Sequence, residues 1–166
     1  YGNPSSLYRL GRVARSALET ARCQIAALVG AEPSEVIFTS GGTEANNLAI
    51  KGLFVNSQVK KIFIPKTEHP SVLAAALSLK DPLAIEYLDV DSQGLVAFEV
   101  APSRLGAGLN FVSVMMANNE TGVIQPIAKL SEYFKAIHSA IILHTDAVQA
   151  LGKIPVDIAT LNVDMI

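Results

Sequence analysis

From Ser6 to Val29 the apolar residues Ala14, Leu18, Ala21, Ile25 and Leu28 recur every three or four positions, and Gly30 stands just beyond them. That spacing predicts an amphipathic helix closed by a glycine C-cap. Downstream the pattern changes. Short runs that are apolar at nearly every residue, Val36 to Phe38, Ile62 to Ile64, Ala84 to Leu88, Phe111 to Met115, Ile141 to Leu143 and Val163 to Ile166, alternate with helix-forming stretches. The helical stretches are Glu44 to Phe54, Ser71 to Leu79 and Ile127 to Ile137. Strands without polar alternation are buried on both faces, and strands separated by helices pair in parallel. The expected fold is therefore α/β, a mainly parallel sheet of six strands with helices on both faces, in one domain. Pro65, Pro70, Pro82, Pro126 and Pro155 fall at element ends, where a missing N–H does least harm. Asp91-Ser92-Gln93-Gly94 reads as a surface turn.

Composition narrows the function classes. Half of the 166 residues are apolar and the net charge is −2, which suits a domain with a real core. The basic residues are scattered, so the chain carries no electrostatic footprint for nucleic acid. No apolar run is long enough to span a bilayer, and a soluble protein is expected. Cys23 is the single cysteine and falls within the first predicted helix, where it reads as a small packed residue. A reducing, cytoplasmic setting fits that cysteine usage. The sequence opens on Tyr1-Gly2-Asn3-Pro4 and stops at Asp164-Met165-Ile166, in what reads as a buried strand, as an excised fragment would.

Four polar clusters follow predicted strands: "SGGTE" at Ser40 to Glu44, "KTEHPS" at Lys66 to Ser71, "MANNETG" at Met116 to Gly122 and "HTDAVQ" at His144 to Gln149. In a parallel sheet all four reach one edge, where open α/β folds bind ligands. Gly41-Gly42-Thr43 reads as a tight turn into a helix with Thr43 as N-cap, or as a cradle for a monophosphate-sized anion. It is neither a Walker loop nor a GxGxxG turn. His69, just before a predicted helix, is an ordinary loop histidine or a ring that stacks on a planar ligand or handles a proton. Asn118, Asn119 and Glu120 break an apolar run as a turn would, and amides beside a ligand would orient it. Asp146 is expected at the mouth of an inner strand, with no basic residue near it in sequence. Its partner is then a distant cationic side chain or a protonated ligand nitrogen such as a pyridinium. Gln149, three residues on, would reach the same side.

Taken in order, "YGNPSS", "FTSGGTEANNLAIKG", "TEHPSV", "ANNETGVIQPI" and "HTDAVQALGKIPVD" resemble the cysteine desulfurases, within the class V aminotransferase group of fold-type I pyridoxal phosphate enzymes. The resemblance covers essentially the whole chain. It implies part of a three-layer α/β/α large domain over residues 1–166, without the family's small C-terminal domain. It implies that Gly42 and Thr43 hold the pyridoxal 5'-phosphate through its phosphate. His69, assigned a catalytic role, would stack on the ring, and Asn119 would lie by the ring hydroxyl and the substrate. Asp146 would pair with the pyridinium nitrogen and Gln149 with the ring hydroxyl. One departure is Tyr8, where many members have histidine.

The family's reaction takes sulfur from L-cysteine, leaving L-alanine and an enzyme persulfide that feeds iron–sulfur cluster or thio-cofactor assembly through an acceptor or scaffold protein. It needs a Schiff-base lysine and a catalytic cysteine, and neither family position is reached by this chain. Lys51, Lys60, Lys61, Lys66, Lys80, Lys129, Lys135 and Lys153 lie outside the lysine's context and read as solvated side chains. The fragment is therefore expected to be inactive alone. Family members are homodimers, and sheet edges left open by missing strands favour self-association. Two other functions share these motifs: another class V enzyme, such as a selenocysteine lyase or aminotransferase, and a noncatalytic module that binds a phosphorylated ligand or a partner. No metal site is expected.

Overall fold

The computed structural model describes residues 2–56, 59–79, 85–98 and 100–166. Tyr1, Lys80, Pro82 and Ala84, used in the sequence reading, lie outside the described residues. The chain forms two compact units, Tyr1–Phe38 and Thr39–Ile166.

The first unit is built on helix α1, Arg9–Val29, with Tyr8 as N-cap and Gly30 as C-cap. Gly30 takes a left-handed conformation at φ 70°, and its N–H reaches the Ala26 carbonyl, as the helix-then-glycine pattern predicts. The buried stripe is offset from the expected one. Gly11, Ala26 and Val29 are buried, whereas Ile25 and Leu28 are exposed. Cys23 is also exposed rather than packed. It sits two residues beyond half-buried Ala21, about 200° around the helix.

Val36 to Phe38, expected as a strand, joins no ladder among the described residues. The Val36 carbonyl instead accepts a hydrogen bond from the Arg22 guanidinium, which also lies over the Phe38 ring at 5.1 Å. Ile37 and Phe38 are exposed, so their apolar character reflects something other than a core strand.

The second unit holds a four-stranded, wholly parallel sheet in the order β2-β1-β3-β4. The strands are β1 (Val59–Pro65), β2 (Ile85–Leu88), β3 (Leu109–Ser113) and β4 (Ile141–His144). Alternate residues serve opposite faces. Ile62, Ile64 and Phe111 pack with Ile50, Val72, Ala75 and Ala76 from helices α2 (Gly42–Asn56) and α3 (Pro70–Leu77). Phe63, Val112 and Leu143 pack with Ile127, Leu130 and Phe134 from helix α4 (Ile127–Ile137). Residues buried on both faces explain why these strands read as continuous apolar runs, and the three-layer α/β arrangement is as expected. A short helix α5, Ile158–Leu161, follows, capped by the Asp157 side chain.

The segment Val163 to Ile166 falls short of the sixth strand. It runs beside β4 but makes a single parallel bridge, His144 to Met165. The Asp164 carboxylate takes the Leu143 N–H at 2.8 Å, so a side chain occupies a donor that a ladder would have used. Among the described residues β4 is therefore the end strand of the sheet and not an inner one. The turn at Asp91 forms as expected: its carboxylate accepts the N–H groups of Gln93 and Leu95, and Gly94 sits at φ 83°.

Candidate active site

Because the strands are parallel, the loops after β1, β3 and β4 leave from one edge, and the N-terminus of α2 lies at the same edge. There they enclose a cavity of about 200 Å³ lined by Gly42, Thr43, Asn46, His69, Ser71, Met115, Asn119, Asp146, Val148 and Gln149. All six residues singled out in the sequence, Gly42, Thr43, His69, Asn119, Asp146 and Gln149, are in that lining. Asn118 and Glu120 are not. Asn118 holds the turn, donating to the Thr67 carbonyl and accepting from the N–H groups of Glu120 and Thr121.

At one end of the cavity, α2 begins at Gly42 and its first intrahelical bond runs from the Ala45 N–H to the Gly41 carbonyl. Gly41 is thus the N-cap position, and Thr43 lies in the first turn rather than capping it. Glu44, in the first turn, reaches back over this start: it accepts the Ser40 N–H at 2.6 Å, and the Ser40 hydroxyl together with that N–H holds its carboxyl below the usual range. The N–H groups of Gly42 and Thr43 have no place in the intrahelical ladder and remain available to an anion. A Cβ on Gly42 would stand 2.9 Å from Val148 Cγ2, so glycine keeps this end of the cavity open.

Asp146 lies in the loop after β4 and is buried. Its Oδ1 accepts the Val148 N–H at 3.0 Å, and its Oδ2 accepts from Asn46 Nδ2 at 2.8 Å. Among the described residues no ion pair reaches it. Of the two partners left open by the sequence, a distant cationic side chain is not the one found. Asn46 Nδ2 also donates to Ser71 Oγ at 2.9 Å, and Ser71 Oγ lies 2.7 Å from His69 Nδ1. Gln149 Oε1 is taken by Lys153 at 2.7 Å, which leaves the Gln149 amide hydrogens as the group it can offer a ligand.

Two buried titratable groups back the site. Glu68 Oε1 accepts the Met115 N–H at 2.5 Å, while Oε2 has no partner among the described residues. Burial pushes the Glu68 carboxyl up to about 8, the Met115 N–H opposes this, and the Asp146 charge adds to it. Glu68 is then a neutral acid around neutral pH. His144 is fully enclosed, stacked on Phe111 with ring centroids 5.8 Å apart and bonded through Nδ1 to Ser113 Oγ. Burial pushes it down to about 4 against the opposing effect of Asp146.

Asn46, Ser71, Met115 and Val148 also line the cavity; none of them has a role assigned from the sequence, although Ser71 and Val148 fall inside the polar clusters after predicted strands. Asn46 and Ser71 sit at positions of α2 and α3 that face the sheet edge, and polar residues on the inward stripe of a helix are the signal that would have found them. Among the described residues no lysine or cysteine lines the cavity. Lys61, expected to be solvated, is half-buried and paired with Glu86 at 2.9 Å because it lies within β1 beside β2.

An α/β sheet with a cavity lined largely by polar residues at the carboxyl edge of its parallel strands defines a small-molecule-binding fold of the doubly covered type. The chain belongs to the class V aminotransferase family, whose model matches residues 1–166. It is 44% identical over 170 residues to the cysteine desulfurase IscS of Dechloromonas aromatica strain RCB, an alignment that covers 99% of this chain and 42% of that protein. Among solved structures it superposes on a NifS-like protein with a TM-score of 0.89 at 35% identity, covering 99% of this chain and 46% of that one. It also superposes on SspA in complex with cysteine, with a TM-score of 0.87 at 30% identity, covering 99% and 48%. The chain thus spans less than half the length of the relatives it matches.

Proposed function

We propose that the protein to which this chain belongs is a pyridoxal-phosphate-dependent cysteine desulfurase, and that the cavity holds the phosphate and ring of the cofactor. The observation that carries this reading is Asp146. A buried carboxylate with two N–H donors and no ion-pair partner among the described residues is suited to a ligand that brings its own cationic N–H. Across the cavity, the free N–H groups of Gly42 and Thr43 suit a phosphate. The residues present therefore fit the group at both of its charged ends.

In this reading Gly42 and Thr43 bind the phosphate, His69 lies against the ring, and Asn119 and Gln149 orient its hydroxyl. Asp146 keeps a proton on the ring nitrogen, and the cofactor when bound supplies an electron sink for bonds at the substrate's α-carbon. Because no lysine or cysteine among the described residues lines the cavity, this chain does the holding and orienting. The reactive amine and sulfur-accepting thiol fall to the rest of a longer protein, and this chain alone is inactive. L-Cysteine as substrate is supported by the names of the relatives and by the cysteine bound in the SspA structure. A sulfur-acceptor protein, a homodimeric state and a cytoplasmic setting belong to the same proposal. No helix among the described residues is long and apolar enough to cross a membrane.

The test is the longer protein supplied with pyridoxal phosphate and L-cysteine. Alanine and sulfide release by that protein, reduced in Asp146→Asn and missing from the isolated chain, is the expected result. Release by the chain alone, or an unchanged rate in Asp146→Asn, would overturn the proposal.

A further inference from the structure

His69 is the N-cap of α3, an unusual choice for a position that favours Ser, Thr, Asp or Asn. Pro70 follows and has no N–H, so the first donor of the helix is Ser71. Its N–H donates to His69 Nδ1 at 3.1 Å. An N–H donor aimed at Nδ1 requires a lone pair there, so the neutral ring carries its proton on Nε2. The Ser71 hydroxyl, 2.7 Å from the same nitrogen, is left with one role. Its oxygen already accepts from Asn46 Nδ2 at 2.9 Å, and its hydrogen then goes to Nδ1. Asn46 has two amide hydrogens and spends one on Ser71 Oγ and the other on Asp146 Oδ2. Both Asn46 and Ser71 are buried, so these bonds do not compete with bulk water.

From this chain of contacts we infer that Asn46 and Ser71 are positioning residues that tie Asp146 to His69 and lock His69 as its Nε2–H tautomer. His69 then meets a ligand as an N–H donor and a stacking ring, and Nε2 has no lone pair with which to take up a proton. A proton on Nδ1 would face the Ser71 N–H and break the cap of α3. Thus the carboxylate and the imidazole that line the cavity are set by one network, which begins on α2 and ends at the start of α3.

The inference rests on the proposed cofactor site only for its functional meaning, since the tautomer exists without any ligand. The test is long-range 1H–15N correlation spectroscopy on the full chain with 15N-labelled histidine. It is run at about pH 9, well above the ordinary histidine pKa of about 6.5. His69→Gln assigns the signals against those of His138 and His144. The wild type is expected to show His69 as the Nε2–H form. In Ser71→Ala the ratio of Nε2–H to Nδ1–H falls roughly five-fold, the size of one neutral hydrogen bond, and Ser71→Thr restores it. A wild-type His69 protonated on Nδ1, or a ratio that ignores Ser71→Ala while Ser71→Thr is folded, overturns the inference. Pyridoxal phosphate binding, measured separately, fails or succeeds independently of that ratio.

Discussion

Asn46 Nδ2 and Asp146 Oδ2 stand 2.8 Å apart across a hundred residues of sequence, and the contact joins helix α2 to the loop after β4. Asp146 has no other side-chain donor among the described residues, so removing the Asn46 amide strands a buried oxygen. Asn46→Ala is expected to lower the unfolding free energy by about 1–3 kcal/mol, the cost of a buried acceptor left without its donor. Urea unfolding of both proteins measures it. A change inside about ±0.5 kcal/mol, the range of surface substitutions, would show the contact to be incidental.

Glu68 makes stability depend on pH in a direction opposite to the usual carboxylate. Its folded value, about 8, lies above its ordinary 4.5, so the folded chain holds the proton more tightly. That contribution is complete below pH 4.5 and is lost as pH rises toward 8. His144 works the other way, since its folded value of about 4 lies below 6.5. Its contribution is complete above pH 6.5 and is lost as pH falls toward 4. The two slopes oppose each other between pH 4.5 and 6.5, and from there to pH 8 Glu68 acts alone. Stability is expected to fall over that upper interval by at most about 1.4 kcal/mol per pH unit, and Glu68→Gln should flatten the fall. Denaturant midpoints across the interval decide it; a curve with the same slope in Glu68→Gln would remove Glu68 as the cause.

Gly41 and Gly42 make a paired test of the cavity's narrow end. A Cβ at Gly42 meets Val148 Cγ2 at 2.9 Å, whereas one at Gly41 meets nothing within 4 Å. Val148 is exposed and able to turn away, so Gly42→Ala is expected to leave the fold intact. It should weaken pyridoxal phosphate binding about tenfold, in line with the roughly 1–3 kcal/mol of overpacking, while Gly41→Ala changes it little. Equal effects from both substitutions would mean that the close approach at Gly42 is not what admits the ligand.

Much of this architecture is legible in the sequence, because burial on both sheet faces writes itself as continuous apolar runs. Helix α4 spans the expected Ile127–Ile137, and Gly30 caps α1 where its position predicts. The failures have local causes. Val36 to Phe38 is apolar enough for a strand, yet a side chain, Arg22, captures its carbonyl. Asp164 does the same to the N–H of Leu143 beside Val163 to Ile166. In the site, the residues that follow strands were visible because loop chemistry interrupts an apolar run. Asn46 was not, since a polar residue within a helical pattern looks solvated until the partner across the fold is known, and Ser71, although it closes the cluster after β1, read as the start of a helix. The partner of Asn46, Asp146, is 100 residues away, and that of Ser71, Asn46, is 25 residues away.

The proposed function requires that this cavity take pyridoxal phosphate through Asp146. Equilibrium dialysis of the wild-type chain and Asp146→Asn against pyridoxal phosphate at neutral pH is the direct measurement. The prediction is reversible uptake of one equivalent by the wild type, with affinity at least about tenfold lower in Asp146→Asn, the size of one charge-assisted hydrogen bond. No uptake by the wild type, or equal affinity in the variant, would contradict it.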